Sequence, residues 1–483
     1  MVICIDNFCA GTPKCLEDVK YLADMRKTDK YLQFCIPLFA ECPLKMSERT
    51  ILIWFRNDLR IHDNEILLEA VRKADKVLPV YCFDPFYFTK NTEGEPKTGN
   101  FRARFLLESV ADLRKNLQAR GADLIIRTGN PAEILPQLAE EYHVNEVYHH
   151  REVAHEETAI SEEVETALWK IKLNLKHFIG HTLYHKEDLP FPIKDIPDSF
   201  ATFKKKIERD SNVRPCIDTP EQIHTPVITD AGELPALQQL GLDEPVDDPR
   251  TPYRFIGGET HALQQLQQYF VNIGQQGNPK GAKITPASVS STLSPWIALG
   301  CISLRQVYWE VIKHEDNISH NNPLILELLW RDYFRFMFKK HGQKFIAATD
   351  VQDLAADQDD LFEKWKSGAT GAPLIDAIIH ELNATGYINN YSRQIVAGFL
   401  VNTLKADWTK GAKFFEQKLI DYSPASNWGN WAFIAGINND PKDSKFFNLV
   451  KQPAEPEQTS DFIDTWLPEL KDVDEKHLHV TTL

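Results

Sequence analysis

The sequence predicts an α/β domain with a doubly wound parallel sheet, followed by an all-α domain. Two observations carry this. From Thr50 to about Tyr184, short β-branched runs alternate with amphipathic helical patterns, and strands alternating with helices build a parallel sheet covered on both faces. After the string GGET at 257–260 the helical period continues to about Ile420, broken only by short Gly or Pro stretches.

The candidate strands are 51–54, 77–83, 124–127, 146–149 and 177–183. Helical patterns at 101–118, 131–142 and 156–173 lie between them, the first with Phe105, Leu106, Val110, Leu113 and Leu117 on one face. No GxGxxG follows the first strand, which argues against a dinucleotide site there. The α/β domain is placed at 46–185. Residues 186–251, rich in Pro, Asp, Thr and Gln, are expected to be a linker wrapping the surface. The helical domain takes 252–483. Residues 1–45 stand apart, because the character of the chain changes at Met46 and Ser47. They lack a basic stretch before the early apolar run, so they do not read as a secretory signal. We expect a dispensable extension, disordered or not native, with Met46 as the biological start.

Length alone favours more than one domain. No run approaches the roughly 18 apolar residues of a membrane span. The net charge of −15 is wrong for a general nucleic-acid binder, so any DNA contact must come from a local patch. Cys82, Cys216 and Cys301 show neither metal-ligand spacing nor a disulfide rhythm. A reducing, intracellular location follows as an expectation, cytoplasmic in a bacterium, with nucleus and organelle open.

Three stretches could carry chemistry. Residues 324–340 are apolar nearly all round and should form a buried helix, with Glu327, Arg331 and Arg335 in one charged line and Trp330 beside them. Buried charges must be paired or ligated; an internal ion pair and a phosphate contact are both open. In 387–404, Asn390, Arg393 and Gln394 share a helical face and could equally be surface residues. Residues 419–436 mix Asp421, Ser426 and Asn427 with Trp428 and Trp431, and read as a loop too irregular for a simple core. Tryptophans in such a place are more often anchors than redox relays.

Together these segments resemble the photolyase/cryptochrome superfamily. The resemblance rests on WFRNDLR at 54–60 followed by His62 and Asp63, SPWIALGC at 294–301, ELLWRD at 327–332, WKSGATG at 365–371 and NWGNW at 427–431. It runs to WLPEL at 466–470; YHHREV at 148–153 and NWGNW are similar to the DASH branch in particular. The resemblance implies a helical FAD-binding domain. It implies that Ser290, Ser291, Ser294 and Arg331 hold the FAD phosphates, with Asn390 also at the cofactor. Arg393 and Asp421 would be the ion pair beside the isoalloxazine, and Asn427 would face its reactive nitrogen. Trp431 and Trp408 would be the inner members of a tryptophan electron chain. Glu327 and Trp330 would receive a flipped pyrimidine dimer, and Glu152 would contact a 5,10-methenyltetrahydrofolate antenna.

The sequence departs from the family pattern in several places. Ala355 stands where the outer tryptophan is expected, Ser423 where a second aspartate follows Asp421, and Tyr391 where an arginine follows Asn390. The string GNPKG at 277–281 replaces a tyrosine- and arginine-containing loop, and no basic, aromatic tail follows residue 470. Charge separation is therefore expected to end at Trp408, unless a nearby tyrosine substitutes. The implied function is blue-light-driven repair of cyclobutane pyrimidine dimers by a deoxyribodipyrimidine photolyase, preferentially in single-stranded or locally opened DNA, bound weakly. The chain is expected to act as a monomer without a membrane partner. Asn389 and Gln394, where the (6-4) branch carries histidines, disfavour that branch. A blue-light photoreceptor that binds FAD and signals with little repair is the alternative, and a flavin-free relic is the bland one.

Overall fold

The computed structural model describes residues 48–90, 94–276, 291–314, 322–346, 358–437 and 456–471. The expectations for residues 1–45, the 277–281 loop, Ser290 and Ala355 fall outside them. The described residues from Arg49 onward form one compact unit.

Five parallel strands form the first layer: β1 (Thr50–Phe55), β2 (Lys76–Phe83), β3 (Ile125–Thr128), β4 (Glu146–His150) and β5 (Leu175–Phe178). Their order is β3-β2-β1-β4-β5. All six residues of β1 are buried, as a strand covered on both faces by helices requires. The helices of this half are α1 (Glu65–Lys73), α2 (Asn100–Gln118), α3 (Pro131–Glu141) and α4 (His155–Lys170). The doubly wound expectation holds, with one strand displaced. The last strand was expected at 177–183, but the backbone N–H groups of Leu183 and Tyr184 donate to the Asp332 carboxylate at 2.9 and 3.0 Å instead of to the sheet.

Residues 186–251 are less featureless than their composition suggests. They contain α5 (Phe200–Asp210), which buries Phe200, Phe203 and Ile207. The same stretch runs along the sheet, where His224 and Ala231 carbonyls accept from Val77 and Ile126 at 2.7 Å each.

The second half is helical: α6 (Glu259–Gln276), α7 (Ser294–Ala298), α8 (Leu304–His314), α9 (Pro323–His341), α10 (Gln358–Ser367), α11 (Pro373–Thr385), α12 (Asn390–Gly398), α13 (Trp408–Lys418), α14 (Pro424–Ile434) and α15 (Pro456–Trp466). Helix α9 buries eleven residues, as its all-round apolar character requires. Helix α14 corrects the expectation of a loop at 419–436. Its Ser, Asn and Gly are poor helix formers, but Pro424 suits the first turn and Gly429 lets the helix lie directly against Phe334 of α9. Polar ties join the two halves. Glu259 accepts from the Ile61 and His62 backbones at 2.9 Å each, and Arg305 grips Asp63 at 2.6 and 2.8 Å.

Candidate functional site

Helices α12, α13 and α14 enclose a recess lined by Asn390, Arg393, Gln394, Asp421, Asn427 and Trp431, among others. Asn389 caps α12 by accepting from Ser392 N at 2.9 Å, which fixes where Arg393 emerges one turn later. The Arg393 Nε donates to the Ile388 carbonyl at 2.9 Å, and its Nη2 reaches both oxygens of Asp421 at 2.9 and 2.8 Å. The Asp421 side chain is 1% exposed, so this pairing is what permits its charge there. Asn427 Nδ2 donates to the Ala412 carbonyl at 3.0 Å, locking the amide in the wall of the recess. Gln394 Oε1 is buried with no hydrogen-bond partner among the described residues. A buried acceptor in that state calls for a donor. A flavin ring, with one N–H and flanking carbonyls, matches this set of an orphan acceptor, an arginine and two amides, so the residues fit the group.

The other anticipated residues are not among those lining this recess. Glu327 is open to solvent yet hemmed in by protein; burial pushes its carboxyl up to about 7, although the Arg393 charge pulls the other way. Trp330 is not a free wall, because its ring stacks on Phe200 at 3.5 Å. The Arg331 guanidinium donates to the His181 carbonyl. Neither it nor Arg335 pairs with Glu327 on their common helix; Arg335 pairs with Glu152 at 2.7 Å. Ser294 opens α7, and Ser291 is buried just before it.

Four tryptophans of this region are arranged in two pairs. Trp431 and Trp408 belong to one buried apolar cluster. Trp431 lies 6.2 Å from Trp365, edge to face, and Trp408 lies 5.9 Å from Trp428 in the same geometry. Trp428 Nε1 in turn donates to the Tyr422 hydroxyl at 3.3 Å. Nothing in the sequence pattern pointed to Tyr422; its position becomes visible only once α13 and α14 are packed.

A second polar centre sits at the carboxyl ends of β1 and β4, where the strand order reverses and doubly wound sheets place ligands. Glu152 is buried and accepts from Asn57 at 2.9 Å and Arg335 at 2.7 Å. Burial works against its charge, but the neighbouring cations hold it well below the usual carboxylate range. Burial keeps His181 neutral, so the cations responsible are Arg335 and Arg56. Burial and the Glu152 charge push neighbouring Glu157 the other way, up to about 8. Glu152 lines a recess with Arg151, Lys186 and Lys339. Burial and the crowding of Lys186, Arg151 and Arg335 depress the Lys339 ammonium, as in a site that would welcome an anion. A third cavity, unanticipated from the sequence, is lined by Trp54, Asp84, Tyr87, Glu416 and Tyr422 among others.

The comparisons agree with this geometry. Residues 51–223 match the family model "DNA photolyase", and residues 324–482 match "FAD binding domain of DNA photolyase". A cryptochrome DASH of Gloeobacter violaceus is 43% identical over 445 residues, covering 90% of this chain and 88% of that protein. The solved structure of a Synechocystis cryptochrome is 40% identical, covers 89% of this chain and 91% of its own, and superposes with a TM-score of 0.81. A class III photolyase from Agrobacterium tumefaciens, 26% identical, covers 91% of each chain with a TM-score of 0.75. The chain belongs to the cryptochrome DASH family of the photolyase/cryptochrome superfamily, with the FAD-binding domain of DNA photolyase as its second half.

Proposed function

We propose that this chain binds FAD in the recess of α12–α14 and splits cyclobutane pyrimidine dimers in light, preferring single-stranded or locally opened DNA. The observation that carries the reading is the buried Arg393–Asp421 pair facing an orphan Gln394 acceptor in a domain of the FAD-binding family. When bound and reduced, the flavin supplies the photoexcited electron that opens the dimer's cyclobutane ring. The protein supplies position and electrostatics. Arg393 and Asp421 orient the ring, Asn427 and Asn390 border it, and Ser290, Ser291, Ser294 and Arg331 are assigned to the phosphates. Glu327, protonated near neutrality, would donate its proton in a hydrogen bond to a flipped base beside Trp330. Trp431 and Trp408 would refill the flavin from the protein side. Flipping a damaged base from a single strand costs less than from a duplex, and a chain of net charge −15 gains little from duplex phosphates.

Glu152, with Arg151, Lys186 and Lys339 around it, is assigned to an antenna folate, whose glutamate carboxylates suit that cationic rim. A second reading, a blue-light receptor with little repair, is favoured by the net charge and by Ser423 in place of an aspartate. The test is direct. Illuminated, reduced protein is mixed with a thymine-dimer oligonucleotide, single-stranded or duplex, and intact thymines are quantified. Light-dependent repair of the single strand supports the first reading. No repair of either strand by flavin-loaded protein supports the second.

A further inference from the structure

Resting on the flavin reading above, we propose that Arg102, contributed by α2 of the first domain, is a positioning residue for the flavin. It fixes the segment 416–422 so that Asp421 meets Arg393 in the recess. Arg102 is buried, 7% exposed. Its Nη1 donates to the Glu416 carbonyl at 2.5 Å and to the Leu419 carbonyl at 3.4 Å. Its Nη2 donates to the Lys97 carbonyl at 2.8 Å and the Thr98 hydroxyl at 2.9 Å, both in the loop leading into α2. The guanidinium also lies 4.8 Å over the centre of the Tyr422 ring.

A helix end leaves carbonyls without an intrahelical partner, and α13 shows where Arg102 enters. The N–H that would continue the ladder to the Glu416 carbonyl is that of Ile420, and it donates to the Gly386 carbonyl at 2.8 Å instead. Arg102, 314 residues away in the chain, supplies the missing donor. A cation at a helix C-terminus is also favoured by the helix dipole. Gly99 permits the approach, because a Cβ there would come within 2.4 Å of the Gln417 carbonyl oxygen.

Between α13 and α14 the chain has no regular structure to hold it, and Asp421 lies in that stretch. Three ties set its course: Ile420 N to the Gly386 carbonyl, Asp421 to Arg393, and the Tyr422 ring to Arg102. Asp421 therefore sits between an anchor on Leu419 and another on Tyr422, both made by one guanidinium. Burial lowers the affinity of Arg102 for its proton, and the charge of Asp421 is among those opposing that fall. Arg102 is not among the residues lining the recess, whereas Tyr422 lines both the recess and the third cavity. The influence of Arg102 on a flavin must then pass through Asp421 and Tyr422.

The experiment is a double-mutant cycle on FAD affinity in the full-length chain, with the visible circular dichroism of the bound flavin as a second readout. Arg102→Met should weaken FAD binding about tenfold, the effect of losing a hydrogen bond to a charged group, and should alter the dichroism. In an Asp421→Asn background the same substitution should add little, because residues acting through one another are not additive. Arg102→Lys, which keeps a cation and a donor, should recover part of the loss. If Arg102→Met does not fold, Thr98→Val removes one acceptor from the guanidinium and should give a smaller loss that is equally non-additive with Asp421→Asn. Unchanged affinity and dichroism in these variants, or a loss that multiplies in full with that of Asp421→Asn, would overturn the proposal and leave the flavin reading standing. Wild-type protein that binds no FAD would overturn both.

Discussion

Arg393 and Asp421, 28 residues apart, meet with one guanidinium nitrogen 2.9 and 2.8 Å from the two carboxylate oxygens. The pair ties α12 to the segment entering α14, and both elements line the recess. Asp421 is fully enclosed, while Arg393 keeps an edge toward the recess, 23% exposed. The arginine thus has one face committed and one available.

Removing the arginine strands a buried carboxylate. Breaking a buried pair costs about 3–5 kcal/mol, and the partial exposure of Arg393 places the expected loss near the lower end. Arg393→Ala should lower the urea midpoint and release flavin, read as a gain in free-flavin fluorescence. Retention of full flavin content and stability would show that the pair has no part in binding.

Glu327 should make repair pH-dependent. With its carboxyl raised to about 7, it carries a proton below that value and can donate a hydrogen bond; above it, it cannot. Single-turnover repair should fall as pH rises through about 7, and Glu327→Gln, a permanent donor, should flatten the profile. The sign for stability is the same. The folded state holds the proton at pH values where the unfolded chain has lost it, so stability declines from the ordinary carboxylate range up to about 7 and is level above. A wild-type repair profile flat across that range contradicts the assignment.

Asp332 is the staple between α9 and the segment after β5. Its two oxygens accept from Leu183 N and Tyr184 N, and the residue is fully buried. Asp332→Ala orphans both donors at about 1–3 kcal/mol each. Equilibrium unfolding should show that loss, and a change within experimental error would mean that the loop finds other acceptors.

Much of the architecture was legible in the sequence, because β1 and α9 are apolar enough to admit no other placement. What was not legible depends on packing. Helix α14 looked like a loop because Ser426, Gly429 and Asn430 are poor helix formers, and only the contact of Gly429 with Phe334 shows why glycine is there. The displaced fifth strand follows from one carboxylate, Asp332, contributed from 149 residues away. The site was recognisable through motif strings rather than periodicity. The pairing of Trp408 with Trp428 and the orphan Gln394 oxygen are properties of the packed helices alone.

Gly411 gives a packing test of the same region. A Cβ there would collide with the Trp431 ring and come within 2.7 Å of Leu400 Cδ2. Gly411→Ala should cost about 1–3 kcal/mol by overpacking and displace Trp431, slowing flavin photoreduction in protein that still folds. Unchanged photoreduction would mean that the ring position is not critical to the relay.

The central claim is that FAD sits in the recess built on Arg393 and Asp421, and the visible spectrum of the purified full-length chain tests it most directly. The account predicts a yellow protein with a structured flavin band, from which denaturation releases FAD in stoichiometric amount, and an Arg393→Ala variant from which that band is largely lost. A colourless wild type that takes up no FAD when the cofactor is supplied in excess would contradict it.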